Sequence, residues 1–208
     1  MHVLGARYST KLAGLVYVDA AFDRGDDADN AAYDSVARTL PPAHRRTPAD
    51  MASFTALRSY LERTQGFAAP EAYLRARYVG NPDGTVTGMW APAAPVRQAL
   101  SAEMQAKYKA YSPERIRVPA LAMYAVPTAS ADLMRPWYDG SDPAVRQSVQ
   151  ALFRLTRARF EGHAKWFGAF AEHRRVVEIP GAHHLFLSNP REVLQHIDAF
   201  MSSLPARR

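Results

Sequence analysis

Three short apolar runs, set far apart in the chain, constrain its fold more than anything else in the sequence. They are Leu12-Ala13-Gly14-Leu15-Val16-Tyr17-Val18-Asp19, Ile116-Arg117-Val118-Pro119-Ala120-Leu121-Ala122-Met123-Tyr124-Ala125-Val126 and Arg175-Val176-Val177-Glu178-Ile179-Pro180. Each is strand-length and rich in β-branched or aromatic residues. The first lacks polar alternation, as expected of a strand covered on both faces. Long stretches with helical spacing separate the runs. Strands separated by helices predict an α/β fold with a parallel sheet.

The helical stretches have their own signals. Thr47-Pro48-Ala49-Asp50 reads as a helix start, followed by Met51, Phe54, Leu57 and Leu61 on one face and ended by Gly66. A short helix is expected from Glu71 to Tyr78, then a turn at Asn81-Pro82-Asp83-Gly84 and a strand or extended segment over Thr85 to Trp90. Val96, Leu100, Met104 and Tyr108 predict a further helix. Asp142-Pro143 opens the longest one, with Val145, Val149, Leu152, Phe153, Phe160, Ala164 and Phe167 along one face. Gly162 and Gly168 predict a kink or a split there. Asn189-Pro190 starts a last helix whose inward positions are Val193, Ile197, Phe200 and Met201.

Composition narrows the function classes. The chain has 208 residues and a net charge of +6, but only four of its 26 basic residues are lysine. The arginines are scattered and do not interleave with aromatic residues, so a solvated basic surface is expected and nucleic-acid binding is not. With no cysteine, a disulfide framework, a thiolate metal site and a cysteine nucleophile are all excluded. No apolar run approaches the ~20 residues of a membrane helix, and no signal peptide is legible. A cytoplasmic location is the expectation for the chain as it stands. Adjacent His183 and His184 lack a cluster of further ligands, so no metal and no cofactor are expected.

The C-terminal third carries the chemistry. Val176 to Val193 contains a strand, a Gly181-Ala182-His183-His184 loop and a helix opening at Asn189-Pro190. This resembles the last strand, histidine loop and final helix of the α/β-hydrolase family, whose G-x-x-H histidine matches His184. Val118-Pro119 and the run after it resemble the strand preceding that family's acid. Tyr8 to Asp19 resembles the segment leading from behind the nucleophile into the next core strand. The resemblance implies three regions. Residues 1–20 would be the start of a visible core, 21–115 an inserted helical cap, and 116–208 a C-terminal core with the acid and histidine loops.

By that resemblance His184 is the general base and Asp132 its orienting acid, in a loop that lacks the usual glycine. Asp139 and Asp19 stay open as alternatives for the acid, Asp19 also as a carboxylate that accepts loop backbone hydrogens. His183 is expected to be a neighbour turned away. Trp90 and Trp137, with Phe54 and Tyr60, are candidates to line a substrate pocket for a small apolar or ester-type molecule.

One departure is plain. The family's nucleophile sits in G-x-S-x-G, and no serine here has glycine at both positions; Ser9 follows Gly5-Ala6-Arg7-Tyr8. The expectation is therefore a truncated, inactive piece of a serine hydrolase that cleaves acyl bonds. The alternative is a non-catalytic protein that binds apolar ligands or partners on hydrolase remains. Self-association through an exposed sheet edge is expected in either case.

Overall fold

The computed structural model describes residues 2–22, 27–42, 45–65, 68–90, 96, 98–99, 113–170, 172–181 and 183–205. All three apolar runs form strands: β1 (Leu15–Val18), β4 (Ala120–Val126) and β5 (Arg174–Pro180). They make one parallel sheet in the order β1-β4-β5. Leu15 pairs with Ala120, and Ala120 in turn with Arg174. The fold class is therefore α/β with a parallel sheet.

Every residue of the central strand β4 is buried. Its side chains alternate between two layers, as the period of a strand requires. Ala120, Ala122, Tyr124 and Val126 face a cluster with Leu15, Tyr17 and Phe167. Leu121, Met123 and Ala125 face the other, with Ile179, Leu185, Val193 and Phe200. The alanines on the first face leave room for the long helix α5 (Pro143–Gly168), whose Phe167 meets Tyr17 edge-on at 5.4 Å. The second face is covered by the single turn α6 (Leu185–Ser188) and by α7 (Pro190–Ser203). Each large side chain buried here contributes about 1.5–3 kcal/mol.

Helix α5 starts where its cap predicts: the Asp142 carboxylate accepts from the Ala144 N–H at 2.8 Å, with Pro143 in the first turn. It runs unbroken through Gly162 to Gly168, so the helix is not split. Four residues of its apolar face, Val145, Val149, Leu152 and Phe167, are buried in tertiary contacts, which outweigh the intrinsic cost of one glycine.

The chain between β1 and β4 holds α2 (Asp27–Ala37), α3 (Phe54–Gln65), α4 (Glu71–Arg77), β2 (Tyr78–Gly80) and β3 (Val86–Met89). The start signal at Thr47 is real: Thr47 and Asp50 exchange hydrogen bonds as a capping box. What it opens is a 3₁₀ turn over Ala49–Met51; the α-helix begins only at Phe54, with Ser53 Oγ accepting from the Ala56 N–H. Tyr78 leaves the expected short helix and pairs antiparallel with Met89. This α3–β3 segment has its own small core of Phe54, Leu57, Leu61, Leu74 and Val86. The helix expected around Val96 to Tyr108 lies almost entirely outside the described residues. Ahead of β1 stands the short helix α1 (His2–Arg7).

Candidate functional site

In a parallel sheet, the loops beyond the strands' carboxyl ends are where side chains from separate strands converge. Asp19 directly follows β1, and His183 comes three residues after β5. The structure joins them across the end of β4. His183 Nδ1 lies 2.5 Å from Asp19 Oδ2, while Asp19 Oδ1 accepts from the Ala125 N–H at 3.0 Å. Both carboxylate oxygens are thus engaged, and one ties the acid to the central strand.

Backbone conformation aims both groups. Asp19 has φ +47°, a left-handed geometry that aspartate adopts more readily than most residues. Its N–H still completes the ladder by donating to the Met123 carbonyl at 2.7 Å. Gly181, at φ +154°, turns the chain out of β5; a Cβ there would stand 2.7 Å from Asn189 Oδ1. Asn189 in turn precedes Pro190 at the start of α7, so strand, loop and helix are fitted to one another.

The pair is lopsided in exposure. The Asp19 side chain is 1 % exposed and that of His183 is 68 % exposed. Burial pushes the Asp19 carboxyl above its ordinary range, against the opposing pull of the Ala125 N–H and the His183 ring. An imidazole held at Nδ1 by a carboxylate has its tautomer fixed and presents Nε2 outward.

His184 takes another role. Its ring packs at 5.0 Å from His183, 5.8 Å from Phe186 and 6.2 Å from Tyr73 of α4. Burial, then the nearby charges of His183 and Arg77, hold its pKa below the ordinary value. The structure does not bring His184 and Asp132 together. Asp132 Oδ2 instead accepts from Thr128 N (2.7 Å), Thr128 Oγ1 (2.8 Å) and Ala129 N (2.9 Å), closing its own exposed turn. Those bonds hold its carboxyl below the ordinary range. Asp139 does likewise with Ser141, through N at 2.8 Å and Oγ at 2.6 Å. Of the three acids weighed from sequence, it is Asp19 that meets a histidine, and that histidine is His183.

The two tryptophans separate. Trp90 stands 70 % exposed just past β3. Trp137 donates from Nε1 to the Pro41 carbonyl at 3.2 Å and lines a cleft of about 730 Å³ together with Tyr60. Phe54 is buried in the small core of the α3–β3 segment, with the Arg75 guanidinium 4.5 Å from its ring centre. Among the described residues, no group of three or more His, Asp or Glu side chains is arranged to hold a metal ion, and no helix is long and apolar enough to cross a membrane.

No family model matches the chain, and no curated protein matches it. Among solved structures it is similar to a thioesterase domain from the curacin biosynthetic pathway, with a TM-score of 0.48 and 13 % identity. The match covers 94 % of this chain and 61 % of that one, so the chain spans less than two thirds of its neighbour's length. The α/β class itself rests on the parallel sheet described above.

Proposed function

We propose that the chain carries the acid and the histidine of a serine-hydrolase centre of the α/β-hydrolase kind. The reaction is hydrolysis of an ester- or amide-type acyl bond in a small apolar substrate. The observation that carries this reading is the 2.5 Å contact between His183 Nδ1 and the buried Asp19 carboxylate at the carboxyl ends of parallel strands. In this role His183 Nε2 takes the proton of a nucleophilic hydroxyl and returns it to the leaving group. Asp19 keeps Nδ1–H donating and stabilises the imidazolium without itself becoming protonated. His184, the match by motif spacing, is then the packing partner of the base, and Asp132 a turn-closing residue.

The nucleophile of this reading lies on polypeptide other than these 208 residues, because no serine of the chain stands in a G-x-S-x-G elbow. Without that nucleophile, the chain alone lacks the group that attacks the acyl carbon in this reading. Two measurements test the proposal. Nitrogen-15 NMR of the histidines is expected to show His183 as the Nδ1–H tautomer, with that signature lost in Asp19→Asn. A His183 spectrum unchanged by the substitution would remove the basis for the pair. The chain alone is also expected to give no stoichiometric label with a serine-directed fluorophosphonate and no p-nitrophenyl butyrate turnover beyond that of His183→Ala. A stoichiometric label on any of its own serines contradicts the assignment.

A further inference from the structure

The cleft beside Trp137 lies between the α3 region and the loop after β4, and it contains an imbalance of charge. Two arginines line it, Arg45 and Arg63, against one aspartate, Asp50. Arg63 Nη2 is bound to Asp50 Oδ1 at 2.8 Å, so these two neutralise each other. The bonds from Thr47 and the Arg63 charge hold the Asp50 carboxyl below its ordinary range, which keeps it ionised at neutral pH. Arg45 has no acidic partner among the described residues.

Three other donors around the cleft are engaged within the protein. Thr47 Oγ1 donates to Asp50 Oδ2 at 2.7 Å, Thr64 Oγ1 to the Tyr60 carbonyl at 2.9 Å, and Trp137 Nε1 to the Pro41 carbonyl at 3.2 Å. Arg45 thus stands as the lining cation without an acidic partner among the described residues, beside Tyr60, Pro136 and Trp137. A guanidinium matches a planar carboxylate through two parallel hydrogen bonds, while aromatic walls favour a flat apolar body.

We infer that this cleft binds a small organic acid, a carboxylate carried on a flat apolar or aromatic framework, with Arg45 as the anion-recognising residue. The inference concerns a site separate from Asp19 and His183 and holds whether or not the chain belongs to a hydrolase.

The test uses 2-naphthoate and its neutral counterpart 2-naphthalenemethanol, titrated calorimetrically into the full chain. The acid is expected to bind about tenfold or more tightly than the alcohol, as one charge-assisted contact implies. Arg45→Gln removes that preference while leaving the alcohol's affinity unchanged. Asp50→Asn releases Arg63 from its partner and tightens naphthoate several-fold, a gain that a misfolded variant cannot imitate. Binding of neither compound, equal binding of both, or an Arg45→Gln chain that keeps its preference overturns the inference. So does an Asp50→Asn chain that gains no affinity for the acid.

Discussion

Asp19 and Asp132 are both aspartates in loops after strands, yet their surroundings give them opposite electrostatic signs. Asp19 is pushed above its ordinary value of 3.8 by burial, so its contribution favours the fold below the unfolded-state pKa and is lost as pH rises through the folded value. Asp132 is held below 3.8 by the Ala129 N–H and by Thr128, so its contribution is present above that value and is lost as pH falls through the folded one. Urea unfolding of wild type, Asp19→Asn and Asp132→Asn across the acid range separates the two. The stability difference between wild type and Asp19→Asn is expected to shrink as pH rises from the carboxylate range. The difference for Asp132→Asn grows over the same interval and stays small, because solvent screens this exposed carboxylate. Parallel trends would mean that burial does not dominate at Asp19. The sequence showed where the histidine loop lies but not which of two adjacent rings meets the carboxylate. Spacing from Gly181 counts residues, whereas the answer depends on φ at Gly181 and at Asp19, two torsions that no pattern of residue types encodes. The local role of Asp132 did leave a trace: Thr128 four positions earlier is a hydrogen-bonding partner at the right distance for a closed turn.

At the scale of elements, the strands, α5 and α7 were legible because burial on two faces and 3.6-residue spacing leave strong marks. The β2–β3 hairpin was half legible. Its turn is written in Asn81-Pro82-Asp83-Gly84, and its second strand in Thr85 to Trp90, but β2 is three residues long and reads as the tail of α4. The step from 3₁₀ turn to α3 was likewise hidden, since Met51 and Phe54 suit both. The junction of β5, its loop and α7 is the element pair on which the site depends. Gly181→Ala forces a Cβ against Asn189 Oδ1 at a φ that only glycine adopts freely, and is expected to cost about 1–3 kcal/mol. Its decisive readout is His183: the ring should take on the NMR signature it shows in Asp19→Asn. If Gly181→Ala leaves the His183 signals in place, the glycine does not aim the histidine.

On the whole molecule, the sheet has covered faces, and among the described residues no strand pairs with β1 on the side away from β4. β1 lies at one end of the order β1-β4-β5, with Leu15 and Tyr17 in one core layer and Val16 and Val18 against the other. Leu15 and Asp19 direct their N–H groups to β4, so the alternating pattern turns those of Val16 and Val18 to the open edge. An apolar strand with such an edge is a template for pairing with another strand. The chain is expected to self-associate with rising concentration in sedimentation velocity, and Val16→Pro, which removes one outward donor, to shift it toward monomer. A chain that stays monomeric throughout would show that the edge is protected. The same arrangement also sets an order in time. β4, α5 and β5 are contiguous and pair through the shorter loop, whereas Asp19 meets Ala125 across 106 residues and His183 across 164. Contacts that close long loops form late. The acid therefore reaches its histidine only when the last strand has joined the sheet, and a nascent or partly unfolded chain holds an imidazole without its carboxylate. The proposed role of the pair thus requires both outer strands to be seated on β4, because Asp19 and His183 meet only in the completed sheet.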